Sequence, residues 1–138
     1  MHGGERLSAE AAMRAAEFRS ALRRFLRRSE RIARSSGLTP QRYLLLLMIK
    51  GAPDGSEQST VTELAERLQL AQSTVTELVR RAEEVGLVER ETSAVDGRVA
   101  HLRLTDEGER RLAKSVARLT GERDALRATF AHLDEATP

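Results

Sequence analysis

Apolar residues return at intervals of three or four along most of this chain, and the points where the rhythm breaks divide it into helices. Between Ser8 and about Ser35 the stripe runs Ala11, Ala15, Phe18, Leu22, Phe25, Leu26, Ile32 and Ala33, which predicts one long first helix. A second helix opens at "LTPQRYLLLLMIKG". Thr39 supplies an N-cap oxygen, Pro40 takes the first helical position, where its missing N–H is not needed, and Gly51 stops the run. After the loop "APDGSEQ", the stretch "VTELAERL" predicts a short third helix capped by Thr62, with Leu64, Ala65 and Leu68 turned inward. The apolar phase resets at "QLA", so a turn separates that helix from a fourth, "STVTELVRRAEEVG", which Gly86 ends. Two short helices joined by such a turn make a helix-turn-helix.

The period then changes from helical to alternating. "LVERE" reads as a strand, "TSAVDG" as a connection with an Asp-Gly turn, and "RVAHLRL" as the returning strand. Ala100, Leu102 and Leu104 share one face of that strand, and His101 and Arg103 the other, so the pair forms a wing-like hairpin. Thr105 then caps a long last helix, with Asp106 and Glu107 set against the positive end of its dipole. Its stripe is Leu112, Val116, Leu119, Leu126, Phe130 and Leu133, and Gly121 is a weak point within it. The expected class is mainly α with a small β-hairpin, in a single domain over residues 1–138. Long helices at 8–35 and 105–133 flank a winged helix-turn-helix lobe at 36–104.

Those outer helices carry more apolar stripe than the short central ones can cover. A two-fold homodimer would cover the rest with one self-matching patch, and Phe18, Leu22, Phe25, Leu119, Leu126 and Phe130 are its expected contacts. The alternative is that the first and last helices pack on each other within one chain.

Composition removes several other classes. With 138 residues and 3% aromatics, one domain with a core of mainly Leu, Val and Ala is expected. The absence of cysteine excludes disulfides and thiolate zinc sites, and His2, His101 and His132 are too scattered for a metal site, so no cofactor is expected. Gly-rich phosphate loops and Ser-x-x-Lys are missing, which argues against an enzyme. The longest apolar run, "YLLLLMI", is too short to span a bilayer, and the start has no signal region, so a cytoplasmic protein without a membrane partner is expected.

Charge is unevenly placed. The net value is only +2, yet residues 14–34 hold eight arginines against Glu17 and Glu30, which suits either a polyanion nearby or the wet face of a helix. From Ser73 to Arg98 the balance reverses to −2. On a helical wheel Val75, Leu78, Val79, Ala82 and Val85 form one face of the fourth helix, and Ser73, Thr76, Glu77, Arg80 and Glu84 the opposite one. Small polar groups at the start of the second helix of such a pair, here with Gln72 and Thr74 beside them, suit entry into a DNA major groove. Arg80 would reach a phosphate or a guanine edge, while Glu77 must accept from a cytosine, pair with an arginine, or weaken binding. A merely solvated face, on a winged helix that binds proteins rather than DNA, is the competing reading.

The run "VTELAERLQLAQSTVTELVRRAEEVGLVERETSAVDGRVAHLRLTDEG" resembles the MarR family of bacterial transcriptional regulators. Its most specific parts are "STVTELVRRAEEVGLVER" and "DGRVAHLRLTDEG", where Asp-x-Arg is followed by Leu-Thr-x-x-Gly. The likeness covers about residues 36–115, and the first helix joins it by position and periodicity only. It implies a homodimer on pseudo-palindromic double-stranded DNA, acting as a repressor and released by a small, often phenolic, aromatic effector. Carried over, Gln72, Ser73, Thr74, Thr76 and Arg80 contact DNA from the recognition helix, and Asp96 and Arg98 from the wing. Phe25, Tyr43, Leu44 and Met48 are the set near which an effector would bind, although on their own they read as core. Two departures stand out. Ala71 replaces the capping Ser, Thr or Asp of many relatives, a loss of about 1 kcal/mol. Relatives also usually continue into a further helix where this chain ends at Pro138, so the dimer is expected to rest more on residues 8–35 and 110–133.

Overall fold

Hydroxyl caps decide where several helices begin in the computed structural model, which describes residues 5–92 and 97–135. Ser8 accepts from the Ala11 N–H at 3.1 Å and opens α1 (Ala9–Ser35), and Thr39 accepts from the Arg42 N–H at 3.1 Å ahead of α2 (Pro40–Lys50). Thr105 accepts from the Gly108 N–H at 3.1 Å to start α5 (Asp106–Glu135), and its hydroxyl also donates to the Gly86 carbonyl at 2.6 Å.

The cap of α3 (Val61–Leu68) differs from the expected Thr62. Thr60 takes that place, because it stands three residues before Glu63 and the two cap each other reciprocally. The Glu63 N–H donates to Thr60 Oγ1 at 3.2 Å, and the Thr60 N–H donates to Glu63 Oε1 at 2.9 Å. Gln69 then adopts a left-handed φ of 57° and turns the chain into α4 (Gln72–Glu84).

Strands β1 (Val88–Thr92) and β2 (Ala100–Leu104) are antiparallel, with Val88 opposite Leu104 and Thr92 opposite Ala100. Leu102 and Leu104 point into the core, and Arg103 points outward, as the alternation predicts. Ser59, just after the segment "APDGSEQ", forms a one-residue bridge to Leu102 through N–H to O contacts of 3.1 and 2.8 Å. That bridge ties the base of the wing to the segment leading into α3.

The core joins Leu45, Leu46 and Ile49 of α2 to Leu64, Val75 and Val79 of the helix-turn-helix and to Leu102 of the wing. Leu119 of α5 belongs to the same cluster at 1% exposure, so it fills this chain's own core and is not a surface contact, correcting its expected role in a dimer. Within the chain, α1 and α5 run against each other. The Phe18 and Phe130 rings stack at 4.5 Å, so that pair, too, is joined inside one protomer. Polar ties hold the lobe to the long helices. Arg111 donates to Glu107 at 2.7 Å and to the Gly37 carbonyl at 3.0 Å, and Lys50 donates to Glu109 at 2.8 Å. Among the described residues no helix is long and apolar enough to cross a membrane.

Candidate nucleic-acid interface

Helix α4 is two-faced for a simple reason: Val75, Val79 and Ala82 recur at helical spacing and are fully buried against the lobe. Gln72, Ser73, Thr74, Thr76 and Arg80 are all exposed on the remaining surface. Val85, expected on the inner face, is 48% exposed instead, because the helix has already ended there and Gly86 takes a positive φ. Ala71 stands at the N-cap with extended backbone and no side-chain bond, so the first-turn N–H groups of α4 point outward without a capping oxygen. Those groups sit among the exposed Gln72, Ser73 and Thr74 and are oriented for an anion.

Glu77 takes the second of its three alternatives and pairs with arginine. Arg80 donates to both carboxylate oxygens of Glu77, from Nε at 2.9 Å and from Nη2 at 2.5 Å, and from Nη1 to Glu84. Arg81 Nε donates to the same Glu77 carboxylate at 3.1 Å. Hydrogen bonds from Arg80, and then Arg81, hold the Glu77 carboxyl down at about 2, below its ordinary value of 4.5. Whatever this clamp contributes is therefore complete above pH 4.5 and fades only as pH falls toward 2, so Glu77 remains ionised throughout the physiological range.

The wing is braced in the same manner. Arg90 of β1 donates to Glu83 of α4 at 3.0 Å, and Arg103 of β2 meets Glu91 across the hairpin at 3.3 Å. Arg98 follows Gly97 at the described start of the return toward β2, and its side chain is exposed. Asp96, its expected companion, lies outside the described residues.

The structure thus brings Gln72, Ser73, Thr74, Thr76 and Arg80 onto one surface and puts Arg98 on the hairpin that α4 braces. Sequence reading missed the Glu84 contact, although Glu77, Arg80, Arg81 and Glu84 are spaced three and four apart, the separation at which helical side chains meet.

A cavity of about 300 Å³ lies between α1 and α5, lined by Phe25 and Leu126 together with Arg24, Arg28, Arg31 and Glu122. Arg28 pairs with Glu122 across it at 3.1 Å. On the other side of α1, Leu22 and Leu26 line a groove among Arg19, Arg23 and Arg27. Tyr43 is a core residue whose phenol burial pushes upward in pKa, and Leu44 is 44% exposed, so these two do not line one pocket with Phe25.

Residues 36–99, from the end of α1 through the described start of the wing return, match the model of the MarR family. No curated protein sequence matches the chain. Among solved structures, AbsC, a MarR family transcriptional regulator from Streptomyces coelicolor, is similar at TM-score 0.74 and 21% identity, covering 96% of this chain and 92% of its own. YusO from Bacillus subtilis has TM-score 0.61 at 26% identity, over 90% of this chain and 84% of its own. A variant of S. aureus MepR, bound to an oligodeoxyribonucleotide, has TM-score 0.66 at 19% identity, over 83% of this chain and 81% of its own. The match takes in α2, α3, the uncapped α4 and β1, while α1, β2 and α5 lie outside it, so residues 36–99 are similar in sequence to the MarR family of transcriptional regulators and the chain as a whole shares the winged-helix fold of these structures.

Proposed function

We propose that the protein is a sequence-specific double-stranded DNA-binding repressor that works as a homodimer, with α4 in the major groove of each half-site and Arg98 in the flanking minor groove. The observation that carries this reading is the division of α4, whose apolar face is sealed against the lobe while Gln72, Ser73, Thr74, Thr76 and Arg80 stand exposed beside an uncapped N-terminus. The similar MepR variant bound to an oligodeoxyribonucleotide supports it. The dimer is supported by Leu22 and Leu26, which line the groove of α1 away from the cavity shared with α5 and leave Leu26 50% exposed. Domain division follows the same reading, with 8–35 and 105–133 as dimerisation helices and 36–104 as the reading lobe.

Selection from a random duplex pool tests the whole reading: two related half-sites one helical turn apart are expected, and no enrichment overturns it. Arg98→Ala is expected to weaken binding to the selected duplex by roughly 1–3 kcal/mol and to lower the salt slope by about one phosphate equivalent per wing. Equal binding by variant and wild type across several salt concentrations removes the wing contact.

The cavity between α1 and α5 is the place for a small aromatic effector, because Phe25 and Leu126 offer apolar walls and Arg24 and Arg31 offer cations to an acidic substituent. Salicylate is expected to raise the melting temperature and release the duplex, and neither happening rules out an effector of this kind.

A further inference from the structure

The geometry points to Glu77 as a specificity residue of α4, a carboxylate that withholds Arg80 from lone phosphates and yields it to a base edge offering two acceptors. The inference rests on the proposal that α4 reads DNA. Its basis is the way the Arg80 guanidinium is used up: Nε and Nη2 both donate to Glu77, and Nη1 donates to Glu84. All three nitrogens of the group are engaged, and the side-on fork of Nε and Nη2 is filled by Glu77, so the guanidinium is held along α4 and must leave this carboxylate to offer that fork to a duplex.

Freeing Arg80 costs little only if the groups it leaves keep a partner, and here Glu77 does. Arg81 Nε stays bonded to the same carboxylate at 3.1 Å when Arg80 swings away, so the exchange leaves one charged pair behind. Glu84 has no second partner among the described residues and is left facing the phosphates. From Gln72 to Glu84 the helix holds two arginines and three glutamates, so its net charge of −1 gives no counterion-driven attraction to random duplex. A single phosphate contact must displace a bidentate carboxylate and bring Glu77 and Glu84 toward like charge. A guanine O6/N7 edge replaces the lost fork with another fork, and that difference favours the specific site.

Binding of wild type, Glu77→Gln, Glu84→Gln and Arg80→Ala to the selected duplex and to a scrambled duplex of equal length, at several salt concentrations, tests this. Glu77→Gln is expected to tighten scrambled binding about tenfold and to steepen its salt slope by about one per half-site, as Arg80 becomes free for a phosphate. The selected duplex gains less than about threefold, so the ratio between the two falls. Glu84→Gln moves the ratio the same way by less, and Arg80→Ala weakens the selected duplex far more than the scrambled one. The melting temperature stays where it is, because such exposed pairs contribute little to folding. If wild type prefers the selected duplex and Glu77→Gln leaves that preference unchanged, the role of Glu77 is overturned while the DNA reading stands. Wild type that binds neither duplex overturns the DNA reading, and this inference with it.

Discussion

Gly108→Ala is expected to destabilise the protein by roughly 1–3 kcal/mol and to loosen the wing from α5. A Cβ at this position would lie 2.2 Å from the Leu87 carbonyl oxygen, and 3.2 Å from its carbonyl carbon, so backbone rather than a flexible side chain stands in the way. That carbonyl cannot retreat without loss, since it accepts the Thr105 N–H at 3.0 Å, and Leu87 itself is 1% exposed. The motif Leu-Thr-x-x-Gly is thereby explained from its parts. Leu104 seals the core, Thr105 caps α5 and donates to Gly86, and Gly108 lets the first turn of α5 press against the end of α4. Urea unfolding of the variant measures the effect, and a midpoint equal to wild type would show that the contact relaxes freely. Gly86→Ala provides the comparison. No atom lies within 4 Å of its added Cβ, so its cost is limited to the positive φ of 76°, about 1 kcal/mol.

Elements governed by local rules were legible in the sequence. Thr39 and Thr105 cap where their hydroxyls stand before an apolar repeat, Gly51 and Gly86 close α2 and α4, and β2 alternates as written. Thr60 was missed in favour of Thr62 because the apolar phase alone does not separate the two, whereas the reciprocal partner Glu63 does. Long-range relations were not legible. Nothing local announces that Ser59 bridges to Leu102, or that Leu119 is drawn into the lobe's core while Leu26 is left out of it. A helical stripe shows that a face is apolar and leaves open which partner covers it. The polar surface of α4 was readable residue by residue, but its electrostatics were not. Formal charge counts Arg80 as a free cation, whereas Glu77 and Glu84 hold it.

Leu22→Glu combined with Leu26→Glu is expected to turn a dimer into a folded monomer and to weaken binding to the two-half-site duplex on the order of a hundredfold or more. In one isolated chain these changes cost little. Leu26 is 50% exposed, and both positions border the groove that holds Arg19, Arg23 and Arg27, so new carboxylates there meet cations and water. The same carboxylates under a partner helix lose their water, a penalty of several kcal/mol per ion that surface pairing does not repay. Choice of position is what makes the test clean. Phe25 and Leu126 line the cavity within the chain, and Phe18 stacks on Phe130, so charges at those sites would damage the protomer whether or not it dimerises. Light scattering reads the mass, and circular dichroism checks that the helices persist. A double variant that keeps the dimer mass, or a wild type that is already monomeric, removes Leu22 and Leu26 from the interface. Loss of dimer mass with helices intact, together with a collapse in binding, follows if the two reading helices must be held about 34 Å apart, because half-sites one turn from each other are engaged together only by a joined pair.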